Sequence, residues 1–135
     1  MIDTIIGNID QDLLRAAKND NGSGKVGLAI RAISDALVKS NIRMFSSRFY
    51  FFNGQIYEPL NKLDGIIMNV LNRIDETGKM SGRHASITSG VWKSVSMNEL
   101  NVDNNLICFR NCVLNMHTEE VMPFSPDYHV ISTLD

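Results

Sequence analysis

Four residues near the amino terminus, Gly22-Ser23-Gly24-Lys25, have the composition of a loop that cradles phosphates. Such a loop needs a glycine five positions before the glycine that precedes the lysine, a hydroxyl after the lysine to hold magnesium, and a strand leading in. Asn19 stands at the first glycine position and Val26 at the hydroxyl position, and the preceding residues read as helix. The segment is therefore expected to be a solvated loop with no nucleotide. His84, His117 and His129 share no spacing that puts two metal ligands on one helix face, and no carboxylate stands at a diagnostic distance from them. Each is expected to be exposed or held by a local hydrogen bond. Glu119 and Glu120 are adjacent on a turn and strand, where their side chains diverge and cannot share a proton. Cys108 and Cys112 lie four apart, which fits neither a disulfide framework nor a zinc knuckle, so both are expected to be reduced packing residues. No serine falls in a nucleophile pattern with a histidine. These residues predict no catalytic, nucleotide or metal site and no cofactor.

Composition fits that picture. The chain has 135 residues, 44% hydrophobic and 21% charged, which is ordinary for one globular domain that folds unaided. The net charge of -2 gives no whole-molecule attraction to phosphate, so any contact with DNA must come from a local basic patch. The longest apolar runs, at 49–52 and 66–68, fall far short of the ~20 residues that span a bilayer. Asp3 stands where a secretory signal carries positive charge. A cytoplasmic protein without a membrane segment is expected.

The elements that must position these residues follow from periodicity. Ile2, Ile5, Ile6, Ile9 and Leu13 fall on one face of a helix ending by Lys18, and residues 19–24 form a turn-rich loop. A second helix carries Val26, Ala29, Ile30, Ile33 and Leu37, with Ser23 as N-cap and Asn41 closing it in a left-handed conformation. Residues 48–52 and 55–57 are aromatic and β-branched, and Asn53-Gly54 between them predicts a hairpin with a type I′ turn. Leu63, Ile66, Ile67, Val70, Leu71 and Ile74 mark a third helix, capped by Asn61 and followed by Gly78. A fourth, over 84–97, carries Ile87, Val91, Trp92 and Val95, with Gly90 as its weak point. Strands at 106–109, 113–114 and 121–122 then form a small meander turning near His117-Thr118-Glu119. The fold class is α+β: four helices and two small antiparallel regions around one core, as a single domain over residues 1–135.

The basic residues are the one group with a possible ligand. Arg43 and Arg48 bracket the entry to the aromatic hairpin, while Lys79, Arg83 and Lys93 come from the fourth helix and the connection before it. With neighbouring aromatics they could hold a nucleic-acid backbone, although a scattered solvated surface is the commoner reason for such residues. Arg43, Arg48, Arg83 and Lys93 are the candidate DNA contacts, expected to be weak and without sequence preference.

The carboxyl-terminal residues 104–128 read NNLICFRNCVLNMHTEEVMPFSPDY. This stretch resembles the segment of phage, plasmid and poxvirus-type DNA primase-helicases that reads approximately NGVLDL-x-TGEL-x-PHSPDY, just upstream of a superfamily 3 helicase motor. Residues 50–57, YFFNGQIY, resemble the family's earlier YYYNGKIY hairpin. The similarity covers roughly residues 45–135. It departs at two turn glycines, with Cys112 in place of the Gly of Asn-Gly and Glu119 in place of the Gly of Thr-Gly.

The resemblance implies a non-catalytic accessory domain of a mobile-element DNA replication primase-helicase, with the motor following Asp135 in the same polypeptide. Its partners would be that motor, DNA held weakly, and further copies through the full-length protein. The alternative is a stand-alone phage-encoded adaptor that binds other proteins. A small enzyme using His84 or His129 as a base is the reading with least behind it.

Overall fold

The amino-terminal segment that periodicity reads as one helix is two. The computed structural model describes residues 1–20, 24–75, 78 and 80–133. Within it α1 spans Ile2–Gly7 and α2 spans Gln11–Asn19. Asp10 makes the break: its backbone is extended and its carboxylate accepts the N–H groups of Asp12 and Leu13. Those are donors that the start of a new helix leaves without partners. The apolar stripe survives the bend, because Ile5, Ile9, Leu14 and Ala17 are all buried.

Helix α3, Gly24–Lys39, turns Ala29, Ile33 and Leu37 into the core as expected, together with Ala32 and Ala36. The expected cap Ser23, with Asn21 and Gly22, lies outside the described residues. Asn41 follows the helix at φ 62°, the left-handed closure its type favours. The small residues Ala29, Ala32 and Ala36 let neighbours approach closely, and Gly90 meets α3 at Ile30.

The aromatic hairpin is three-stranded, with β1 at Ile42–Phe45, β2 at Arg48–Phe52 and β3 at Tyr57–Pro59, antiparallel in the order β1-β2-β3. Its turns exchange the expected roles. Ser46 and Ser47, at φ 51° and 65°, make the two-residue connection that needs positive φ twice. Asn53-Gly54 instead opens a four-residue loop, because Phe52 pairs with Tyr57. Gly54 takes φ 104°, and the Asn53 side chain accepts from the amides of Gln55 and Ile56. An Asx turn of this kind replaces the predicted type I′ turn.

Helix α4, Leu63–Ile74, buries Leu63, Ile67, Val70, Leu71 and Ile74. Lys62, not Asn61, occupies the N-cap, in the left-handed region at φ 63° and without a side-chain cap bond. A 3-10 turn at Ser81–Arg83 leads into α5, His84–Ser96, whose core face is Ile87, Val91 and Val95. Strands β4, Leu106–Cys108, β5, Val113–Asn115, and β6, Val121–Met122, form the expected meander. The architecture is α+β, with five α-helices and two three-stranded antiparallel sheets among the described residues.

Alternation on a strand decides what each face of the first sheet does. Ile42, Met44, Phe49 and Phe51 face the helices. Arg43, Phe45, Arg48, Tyr50, Phe52, Tyr57 and Pro59 share the other face, fixed by the pairs Arg43 with Tyr50, Phe45 with Arg48, Tyr50 with Pro59 and Phe52 with Tyr57. The apolar interior is not the one shared core that the sequence predicts. Cys108, Val113 and Val130 form a second small cluster with Ile56, Phe124 and Tyr128, apart from the main helical core. The tail closes the second sheet through Phe124, Tyr128 and Val130.

Candidate nucleic-acid interface

The four candidate cations come from two elements, the first sheet and α5 with the turn before it. Arg43 and Arg48 stand two strand positions apart on the outer face of the first sheet, roughly 7 Å along the strand direction. Arg83 immediately precedes α5 and Lys93 lies ten residues further on, an axial separation of about 15 Å at 1.5 Å per residue. Lys79 lies outside the described residues.

Their environments also differ. Arg48, Arg83 and Lys93 are exposed and form no ion pair with another described residue. Arg43 is half-buried, and one guanidinium nitrogen donates to the carbonyls of Val38 at 2.7 Å and Ile42 at 3.0 Å. Val38 sits in the last turn of α3, where carbonyls lack intrahelical partners and the helix dipole favours a cation. Arg43 thus caps a helix, a role its sequence position did not reveal.

Tyr57 and the carboxyl-terminal tail close one end of that sheet face. The Tyr57 amide donates to the Val130 carbonyl at 2.8 Å and its phenol to the Pro126 carbonyl at 2.7 Å. The His129 ring stands edge-on to Tyr57, with centroids 5.5 Å apart, and its Nδ1 accepts the Asn101 amide at 2.7 Å. Because a backbone N–H can only donate, Nδ1 carries no proton here and the ring is neutral. Burial pushes the His129 pKa down, nearby Arg43 pushes it further, and Asp127 partly opposes them. Burial likewise raises the Tyr57 phenol, with Arg43 opposing and Asp127 adding.

The other end of the face is open. Phe45 and Tyr50 are half-buried and meet edge to face at 5.9 Å between centroids, beside exposed Arg48. Phe45 was not among the residues that composition singles out; the signal was the position of Ser46-Ser47, which ends β1 at Phe45.

A second surface feature lies between α4 and α5. Trp92, expected on the buried stripe, is 39% exposed. Its indole N–H donates to the Asp64 carboxylate, and its ring packs edge-on to Phe49 with centroids 4.5 Å apart. Asp64, Met68, Thr88, Trp92 and Lys93 line an open groove of 750 Å³ there.

The remaining titratable residues have local partners. His84 Nε2 lies 3.3 Å from Asp75 Oδ2, which also accepts the Met80 amide at 3.0 Å, so the pair clasps the connection between α4 and α5. Cys108 is buried and Cys112 half-buried, both as free thiols; burial raises the Cys108 pKa, with Cys112 adding to it. Glu119 and Glu120 are exposed on the turn before β6. Lys25 lies in the first turn of α3, and Gly22 and Ser23 are outside the described residues. No helix among the described residues is long and apolar enough to cross a membrane.

Comparison with known proteins adds one result. The family model described as D5 N terminal like matches residues 54–135, from the loop after β2 through the second sheet and the tail. That family is the N-terminal region of phage and poxvirus-type primase-helicase proteins. A search of curated proteins gave no match.

Proposed function

The chain belongs to the D5 N terminal like family, and on that premise we propose that it is a non-catalytic accessory module of a mobile-element DNA replication primase-helicase. It helps the helicase motor of the same polypeptide to assemble, or guides DNA toward it. The single observation behind this reading is the family match across residues 54–135. Nδ1 of His129 is held by the Asn101 amide, so that nitrogen is not free to act as a base. DNA contact falls to Arg48, Arg83 and Lys93, with Arg43 contributing charge from its capping position. The module works in the cytoplasm, and the full-length protein brings copies of it together.

One observation favours a second reading, a phage-encoded adaptor that binds other proteins. Met68, Trp92 and Met97 are exposed, Met97 by 84%, along and beyond the groove between α4 and α5.

Calorimetric titration of the isolated chain with magnesium ATP tests the non-catalytic claim. No binding heat is expected, and micromolar affinity would overturn it.

A further inference from the structure

We infer that the open end of the outer face of the first sheet, formed by Phe45, Arg48 and Tyr50, is a stacking platform for single-stranded DNA. This inference rests on the proposed DNA-guiding role and gives it a place.

Three observations carry it. The first is charge. The chain is net acidic, yet the strand register puts no acidic residue on this face: Arg43, Phe45, Arg48, Tyr50, Phe52, Tyr57 and Pro59 give it two cations, and the carboxylates nearby come from outside these strands, Asp127 of the tail by Tyr57 and Glu99 beside Phe45. The second is aromatic presentation. The edge-to-face contact between Phe45 and Tyr50 holds both rings partly exposed, so their orientation is set before a ligand arrives. Bases can stack on such rings whatever their sequence, and an adjacent arginine can hold the backbone phosphate. The third is access. The tail covers only the end of the face occupied by Tyr57, through Pro126, His129 and Val130. At the opposite end β1 and β2 are joined by only Ser46 and Ser47, both exposed, and the 98–100 segment that hydrogen-bonds Met44 runs along the edge of β1.

Single strands are favoured over duplex because only unpaired bases offer their faces to a side chain. Arg83 and Lys93, on and beside α5, lie on no part of this sheet and add only non-specific charge.

The test is fluorescence anisotropy of a labelled oligothymidine and a labelled duplex with the whole chain at low ionic strength. The variants are Phe45→Leu, Tyr50→Leu, Arg48→Glu and Lys93→Glu. Leucine keeps apolar bulk on the strand and removes the aromatic face; circular dichroism and thermal melting of each variant confirm the fold. Each leucine variant is expected to weaken single-strand binding at least about fivefold and leave duplex binding unchanged. Arg48→Glu is expected to weaken both and to reduce the log-log salt slope on single strands by about 0.7. Folded leucine variants that bind oligothymidine as tightly as the parent, while Lys93→Glu weakens it, would overturn the platform and leave a diffuse DNA contact. Failure of the parent to bind either oligonucleotide would overturn both the platform and the DNA-guiding role, leaving motor assembly as the domain's task.

Discussion

The Tyr57 phenol donates to the Pro126 carbonyl at 2.7 Å, joining residues 69 positions apart along the chain. That bond and the Tyr57 amide bond to Val130 connect the first sheet to the tail that closes the second apolar cluster. Replacing Tyr57 with Phe keeps the ring and removes the hydroxyl. The expected cost is about 1 kcal/mol, the net worth of a hydrogen bond whose acceptor loses its partner. Urea unfolding followed by circular dichroism measures it. A midpoint equal to the parent's would show that water replaces the phenol without loss.

His129 makes stability depend on pH. Its pKa is lowered in the folded protein, first by burial and then by Arg43, against an ordinary value of 6.5. The unfolded chain therefore binds a proton more readily than the folded one, and stability rises with pH across that interval. The contribution is whole above 6.5 and is lost as pH falls through the lower folded value. Protonation at Nδ1 also removes the acceptor for the Asn101 amide. In His129→Asn the side-chain oxygen can accept the same amide without titrating. The difference in urea midpoint between parent and variant should shrink or reverse in the parent's disfavour from about pH 7.5 to about pH 5. A constant difference would remove His129 from the acid response.

Gly90 illustrates close packing at a position where helix propensity alone argues for change. A Cβ there would lie 2.8 Å from Ile30 Cγ1 and closer still to Cδ1, whereas one at Gly65 of α4 meets nothing within 4 Å. Gly65→Ala should stabilise by roughly 0.5–1 kcal/mol. In Gly90→Ala overpacking of about 1–3 kcal/mol outweighs that gain, so a net loss is expected. Combining Gly90→Ala with Ile30→Val, which removes Cδ1, should recover part of the loss in thermal melting. Equal stabilisation by both alanine changes would show that Ile30 moves aside freely.

Glu119 adopts φ 62° at the turn before β6, where a side chain is disfavoured. Glu119→Gly relieves that conformation and is expected to raise stability by about 0.5–1 kcal/mol. The fluorescence or circular-dichroism midpoint in urea reads the change; a lower midpoint would mean that the added freedom of the unfolded glycine prevails.

Residue types carried the strong features of the fold. The stripe from Leu63 to Ile74, the core face of α5 and the meander from Leu106 to Met122 were legible because their periods are long or their partners near. Local side-chain chemistry carried the rest less plainly. Asp10 interrupts an apolar stripe that continues past it, so periodicity alone joins α1 and α2. Asn53-Gly54 has the composition of a two-residue turn, but pairing of Phe52 with Tyr57 lengthens the loop, while Ser46-Ser47 makes the tight turn with residues that do not advertise it. At the candidate site, the strand register that joins Arg48 to Phe45 and Tyr50 is a tertiary fact. So is the burial of Arg43 against the end of α3, which a list of cations cannot convey.

Whether this domain supports a helicase motor, as proposed, is tested most directly by strand displacement with a polypeptide that carries both this domain and the proposed motor. Unwinding of a forked DNA would be compared between the intact protein and a version lacking residues 1–135, with the motor's ATP hydrolysis and oligomeric state measured alongside. Loss of unwinding or of ring assembly, with ATP hydrolysis retained by the motor, is the expected result. Equal unwinding and equal assembly by the two proteins would contradict the accessory role.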